Sequence, residues 1–209
     1  MDCCSTLNEV FDRKSAENGL RNYYKNGLAR ESKILFNFLK GRIRGLSVLE
    51  IGCGIGSLNM ELVKAGASRS LGVDASEASI EVARILREKL GLKNVELKAL
   101  DFVNAKAPRL DAVVSDKVIC CYPDMEKLIK ASALRAREYY GIIYPREHVL
   151  MHMFATFGNW FNWFSRKRKG FRFYIHSNRK IRKRIESHGL ERVFDKQTLI
   201  WNIEVYRRR

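Results

Sequence analysis

The chain has 209 residues, 46% of them apolar, which is enough for one domain with a full core and excludes a disordered tail. Lys and Arg number 39 against 23 Asp and Glu, a net charge of +16, and residues 160–209 carry fifteen of those cations against four acids. Three prolines and no Ser/Gly-rich stretch argue against a linker, so residues 1–209 are expected to form a single domain. The five cysteines (Cys3, Cys4, Cys53, Cys120, Cys121) contain no C-x-x-C spacing. That pattern excludes a disulfide framework and suits a reducing cytoplasm. No basic region leads into an apolar run at the start, so no signal peptide is expected. The longest apolar stretch, residues 149–164, is interrupted by His152, Thr156, Gly158, Asn159 and Asn162, and is short of the ~20 residues that span a bilayer.

In chain order, residues 5–41 read as helical, with Leu7, Val10 and Phe11, then Ile34, Leu35, Phe38 and Leu39, at helical spacing. A polar-aromatic stretch, residues 20–27, separates the two groups. The pattern then changes. Ser47–Ile51 is a short apolar run between Gly45 and Gly52, the signature of a buried parallel strand. Helix and strand alternate after it: helix 57–65, strand 70–73, helix 76–90 with Ser76 as N-cap, strand 95–100, strand 110–115, helix 124–139 and strand 140–144. That alternation predicts a parallel sheet covered by helices on both faces. A basic helix over 177–188, closed by Gly189, precedes two strands at 193–197 and 199–206 with almost no connection. Strands so close in sequence pair antiparallel. The expected fold is therefore α/β and Rossmann-like, a seven-stranded mostly parallel sheet ending in an antiparallel hairpin.

The first strand runs into Gly52-Cys53-Gly54-Ile55-Gly56. Glycines there let the backbone turn sharply and let a ligand approach where a Cβ would block it. A nicotinamide dinucleotide site favours G-x-G-x-x-G, but the sixth position counted from Gly52 is Ser57. Glu50 places a carboxylate beside the loop, which repels a pyrophosphate and attracts a ligand carrying an ammonium and a sulfonium. Asp74 closes the second strand 22 residues past Gly52, near the spacing at which an acid meets ribose hydroxyls. Asp101 follows the third strand, where a carboxylate can accept from an adenine amino group. These positions are the C-terminal ends of successive strands, where open α/β sheets bind ligands.

Residues 48–56 resemble the first motif of class I methyltransferases that use S-adenosylmethionine (SAM). Gly72-Val73-Asp74 and Leu100-Asp101-Phe102 resemble that family's ribose and adenine motifs, and the terminal hairpin is similar to its reversed last strand. The resemblance covers residues 45–145 in motif and 177–207 in topology. Residues 110–124 further resemble a subgroup related to the magnesium-protoporphyrin O-methyltransferases and quinone-pathway methyltransferases. It implies SAM as cofactor, held by Glu50, Gly52, Cys53, Gly54 and Gly56, by Asp74 and Ala75, by Asp101 and Phe102, and by Asp116. Residues 1–44 are expected as a helical lid whose stretch 21–27, with Tyr23, touches the cofactor.

The acceptor side is expected at the end of the fourth strand, Ser115-Asp116-Lys117-Val118, and in an insertion at 146–176. The [N/D]-P-P-[Y/F] of base-amine methylation is missing. Cys120-Cys121-Tyr122-Pro123 does not match the Pro-Cys nucleophile of cytosine-C5 enzymes. Asp116, His148 and His152 are the candidate catalytic residues. His148 and His152 stand four apart on one helical face, but no carboxylate or cysteine cluster joins them, so no metal site is expected. Six aromatics between Phe154 and Phe164, followed by Arg166-Lys167-Arg168-Lys169, suit an apolar acceptor pocket beside an anionic membrane surface. The expected activity is O- or C-methylation of a small aromatic or lipophilic acceptor by a cytoplasmic enzyme, with a place at the periphery of a membrane as a further option. RNA methylation through the basic C-terminal third, and a non-catalytic SAM-binding module, are the alternatives.

Overall fold

In the computed structural model, residues 10–105, 107–148, 151, 156 and 171–209 are described. Two helices, α1 (Arg13–Asn26) and α2 (Arg30–Leu39), precede the sheet. The alternating part follows as β1 (Ser47–Ile51), α3 (Ser57–Lys64), β2 (Arg69–Asp74), α4 (Glu77–Lys89), β3 (Val95–Ala99), β4 (Leu110–Asp116), α5 (Met125–Ala133) and β5 (Ala136–Pro145). Helix α6 (Asn178–Glu186) leads into the hairpin β6 (Leu190–Gln197) and β7 (Trp201–Arg208). The sheet order is β3-β2-β1-β4-β5-β7-β6. The first five strands are parallel and β7 is antiparallel to both neighbours. This is the expected seven-stranded mixed sheet.

Side chains alternate along each strand, so one strand feeds two cores. Val48, Ala112, Val114, Ile143 and Val205 pack beneath α2, α3 and α4, whose contribution includes Leu35, Leu39, Leu62, Ile80 and Leu86. Leu49, Ile51, Val113, Tyr140 and Tyr206 pack on the other face against Leu128 and Ile129 of α5 and Ile181 and Ile185 of α6. Each large apolar side chain buried this way contributes about 1.5–3 kcal/mol. β7 also carries a fully buried acid, Glu204. Its Oε1 accepts from Arg182 (2.8 Å) and Arg192 (3.1 Å), and its Oε2 accepts from the hydroxyls of Tyr144 (2.9 Å) and Tyr206 (2.6 Å). This network ties α6 to the hairpin.

The structure corrects two element boundaries. The helix expected to reach residue 139 ends at Ala133, and residues 136–139 already belong to β5. The helix-forming run Leu134-Arg135-Ala136-Arg137-Glu138 is overridden by tertiary contacts. Arg135 donates to the carbonyls of Ala105, Ala107 and Ala131, and Ala136 and Tyr139 pair with Leu110 and Ala112. The terminal strands also shift: β6 begins at Leu190, and residues 199–200 lie in the turn, not the strand. The Ser76 N-cap is as expected, its hydroxyl accepting from Ser79 N–H at 3.1 Å, and Gly189 takes positive φ (76°) after α6.

Candidate functional site

β1 lies between β2 and β4, the point where the chain stops adding strands on one side of the sheet and starts on the other. Helices after β1 and β4 therefore leave in opposite directions, and a crevice opens at the strands' C-terminal ends. Here the structure places a cleft of two adjoining lobes, about 250 and 280 Å³. Phe11, Gly52, Gly54, Ser79, Asp116 and Lys117 border both.

The glycine loop forms the floor. Cys53 N–H donates to Val73 O (3.0 Å) and Gly56 N–H to Cys53 O (2.8 Å), and all three glycines have positive φ. They serve different purposes. A Cβ on Gly52 would overlap Val118, whereas a Cβ on Gly54 would meet no protein atom within 4 Å. Gly54 is thus the glycine that leaves room in the cleft. Gly56 lines neither lobe; it lets α3 approach Ala83 and Leu97, each 3.5 Å from a Cβ placed there.

The acids lie around this floor. Glu50, almost wholly buried, accepts from Asn59 N–H at 3.0 Å and borders the second lobe. Burial first, then the charges of Asp116 and Asp74, push its carboxyl well above the ordinary range, against the lowering effect of the Asn59 bond. Asp74 accepts from Gly54 N–H and Ser76 N–H, both at 2.8 Å, so one carboxylate holds the loop and the start of α4 together. Burial raises its pKa and those backbone donors partly offset the rise. A carboxylate has about four acceptor sites, so these backbone donors leave capacity for further ones. Asp101 accepts from Val103 N–H (3.2 Å) and from Asn104, and with Ala75 and Phe102 it lines the first lobe. Cys53 lines the second lobe, its thiol pushed up by burial and by Glu50.

Asp116 ends β4 and faces both lobes. Its Oδ2 accepts from Ser32 Oγ at 2.5 Å, while the buried Oδ1 accepts no hydrogen bond. Burial raises its pKa, moderated by Lys117 and Ser32. Lys117 is the one described non-glycine residue with positive φ (59°), a conformation that costs an L-residue about 1–2 kcal/mol. The 3₁₀ turn Ile119–Cys121 behind it is held by His176, whose Nε2 lies 3.1 Å from Ile119 O and 2.9 Å from Tyr122 O.

Three expectations are placed differently. Tyr23 lies away from the two lobes; its hydroxyl donates to Glu61 at 2.6 Å and it borders a separate depression with Leu28 and Phe36. The part of the N-terminal segment that does border the cleft is upstream of residues 21–27: Phe11, Ser15, Ala16 and Gly19. The Phe11 ring packs edge-on to Phe171 at 6.2 Å, and Phe11 O accepts from Ser76 Oγ (2.6 Å). His148 is half-buried beyond β5 and lines neither lobe. His152 and the aromatic-basic run to residue 170 lie outside the described residues, Met151 and Thr156 apart.

The sequence reading missed Phe11, Ser32 and Lys117 as residues lining the cleft. A signal existed for α1: Ser15, Ala16 and Gly19 form a small-residue face at helical spacing. Nothing in the sequence marks Lys117 as the residue with left-handed backbone.

A doubly wound sheet with a glycine loop and an acid at the end of each of three successive strands defines a nucleoside-cofactor cleft. The model of the methyltransferase domain family matches residues 43–197, and the chain belongs to that family. Ribosomal protein L11 methyltransferase of Caldanaerobacter subterraneus subsp. tengcongensis is 29% identical over 145 residues, 59% of this chain and 47% of that protein. Ubiquinone biosynthesis O-methyltransferase of Leptothrix cholodnii is 33% identical over 94 residues, 44% of this chain and 40% of that protein. The chain thus spans about half the length or less of these curated relatives. The fold is that of magnesium protoporphyrin IX methyltransferase from Synechocystis PCC 6803, solved with S-adenosylhomocysteine (SAH) bound. The two superpose with a TM-score of 0.78 at 20% identity, each covered over 100% of its length.

Proposed function

We propose that the chain is a SAM-dependent methyltransferase acting on oxygen or carbon of a small aromatic or lipophilic acceptor. The observation that carries the cofactor reading is the charge of the cleft. In a chain of net charge +16, the described residues lining the two lobes include four acids, Glu50, Asp74, Asp101 and Asp116, and a single cation, Lys117. Such a lining favours a ligand with a net positive charge over a pyrophosphate. The residues also fit the group sterically, through the open space at Gly54 and the unfilled acceptor on Asp116. Asp74 would hold the ribose, Asp101 and the apolar wall of Leu100, Phe102 and Leu128 the adenine, and the Gly52–Gly54 backbone the thioether side.

When bound, SAM supplies a methyl group already activated on a sulfonium. The chain's task is then to align an acceptor and keep water out. Phe11 and Tyr122 give the cleft apolar walls, with Phe171 against Phe11, which supports an apolar acceptor. A second reading, an amine on a protein, is favoured by the acidic lining and by the likeness to an enzyme named for ribosomal protein L11. Methyl transfer from labelled SAM into a cell extract, with small-molecule, lipid, protein and RNA fractions counted separately, tests both. Label in the small-molecule or lipid fraction is expected. Label confined to protein would move the second reading ahead, and label confined to RNA would overturn both.

A further inference from the structure

The connection from β3 to β4, unlike the other crossovers of the parallel sheet, carries no helix among the described residues. Arg135 pins it instead, donating to the carbonyls of Ala105 (3.2 Å) and Ala107 (3.0 Å). One face of β3 is left open, with Glu96 and Lys98 exposed on it. At the N-terminal ends of β2, β3 and β4, opposite to the cofactor cleft, lies a cavity of about 410 Å³. It is larger than either lobe of the cleft and falls within the range of small-molecule sites, roughly 300–1,000 Å³. Leu71, Val95 and Leu110, all buried, give it an apolar wall. Three cations reach it from three separate elements. Arg69 opens β2, Arg87 lies in the last turn of α4, and Lys93 stands in the turn before β3. Arg87 Nη1 donates to Val95 O (3.5 Å), which holds the guanidinium at the cavity. Asn94 gives one amide N–H to Ser68 O (3.0 Å) and has a second to offer. The acid among the described lining residues, Glu96, is paired with Lys98 Nζ at 2.7 Å. Asp111, within the field of Arg69, is held by Ser47 N–H (2.8 Å) and Oγ (2.6 Å) and does not line the cavity. Among the described residues neither Arg69 nor Lys93 has an ion-pair partner. The cavity thus gathers three positive charges around one acid that is already neutralised.

We propose that this cavity binds a small organic phosphate monoester. Arg69, Arg87 and Lys93 take the phosphate, and the organic part lies on Leu71, Val95 and Leu110. Guanidinium forks match phosphate oxygens in pairs, and the ammonium adds a point charge. The apolar wall favours an ester over bare phosphate. The confinement between strand ends favours a small molecule over a nucleic-acid strand. The site stands at the other end of the sheet from the cofactor cleft, so the proposal does not rest on the SAM reading.

Calorimetric titration at fixed salt compares phenyl phosphate, inorganic phosphate and phenol. The main variant is the double substitution Arg69→Met and Lys93→Met. Both side chains are exposed, so the fold should tolerate it, and thermal melting checks that it does. A second double substitution, Lys180→Met and Lys183→Met, removes the same charge from the exposed side of α6. It controls for the general field of a protein of net charge +16. We expect the wild type to bind phenyl phosphate at one site, more tightly than inorganic phosphate, with no measurable heat from phenol. The cavity variant should bind phenyl phosphate about 10-fold more weakly or worse, and the α6 variant should match the wild type. Equal losses in the two variants, or no loss in the cavity variant, overturn the proposal. So does a folded wild type that ignores phenyl phosphate, even if it binds single-stranded RNA. Inorganic phosphate bound as tightly as phenyl phosphate overturns the assignment to an ester.

Discussion

Replacing Asp74 by alanine should weaken SAH binding while leaving a folded protein. The carboxylate has two tasks in the structure. It accepts from Gly54 N–H and Ser76 N–H, each at 2.8 Å, and it borders the first lobe. Losing the first task strands two backbone donors at the cleft. A buried unsatisfied donor costs about 1–3 kcal/mol, and water entering the cleft would hold the loss toward the lower end of that range. Losing the second removes charge-assisted hydrogen bonds to the ribose, about 1.5–3 kcal/mol or about 10- to 100-fold in Kd. Asp74→Asn separates charge from packing: it keeps one acceptor but points an amide N–H at the other backbone donor, so it should weaken binding as well. Titration calorimetry with SAH, after thermal melting has shown each variant to be folded, measures the effect. An unchanged Kd in folded Asp74→Ala would refute the assignment of this carboxylate to the ligand.

Glu50→Gln should stabilise the unliganded protein, and increasingly so as pH rises. The folded state holds the Glu50 proton more tightly than the unfolded chain does, so wild type loses stability as pH climbs from the ordinary carboxylate range through the raised value. Melting curves of both proteins from about pH 4 to pH 8 should diverge upward in pH; parallel curves would contradict the cause given. Gly54→Val should abolish SAH binding but retain the fold, because a Cβ there meets no protein atom within 4 Å; left-handed strain costs an L-residue about 1–2 kcal/mol and a β-branched one more. Undiminished affinity would show that the ligand does not pass Gly54. Arg182→Met should lower stability in urea by about 3 kcal/mol, since it removes one of the two guanidinium groups that neutralise the fully buried Glu204. An unchanged midpoint would mean that Arg192, Tyr144 and Tyr206 suffice.

The parts of the fold legible in the sequence were those set by local pattern. Ser47–Ile51 is a short, mainly apolar run bounded by glycines, Ser76 has a helix-capping side chain, and the closeness of the last two strands forces them antiparallel. The boundaries that failed were set at a distance. Residues 134–139 favour a helix by propensity, and only pairing with β4 and the Arg135 hydrogen bonds make them turn and strand. The site divides in the same way. Glu50, Gly54, Asp74 and Asp101 sit at strand ends, so their convergence follows from strand order. Tyr23 was legible as an aromatic in a helix near the cleft, but which way it faced depends on α1 packing its small residues toward the loop. Lys117 depends on a backbone conformation that no residue type at that position announces.

The most direct test of the central claim is titration of the wild-type protein with SAH and, separately, with NAD. The glycine loop lacks the last glycine of the dinucleotide pattern, and Glu50 and Asp116 place carboxylates where a pyrophosphate would be repelled. The expected result is saturable one-site binding of SAH and no measurable heat with NAD. Binding of NAD in preference to SAH, or of neither by folded protein, would contradict the account.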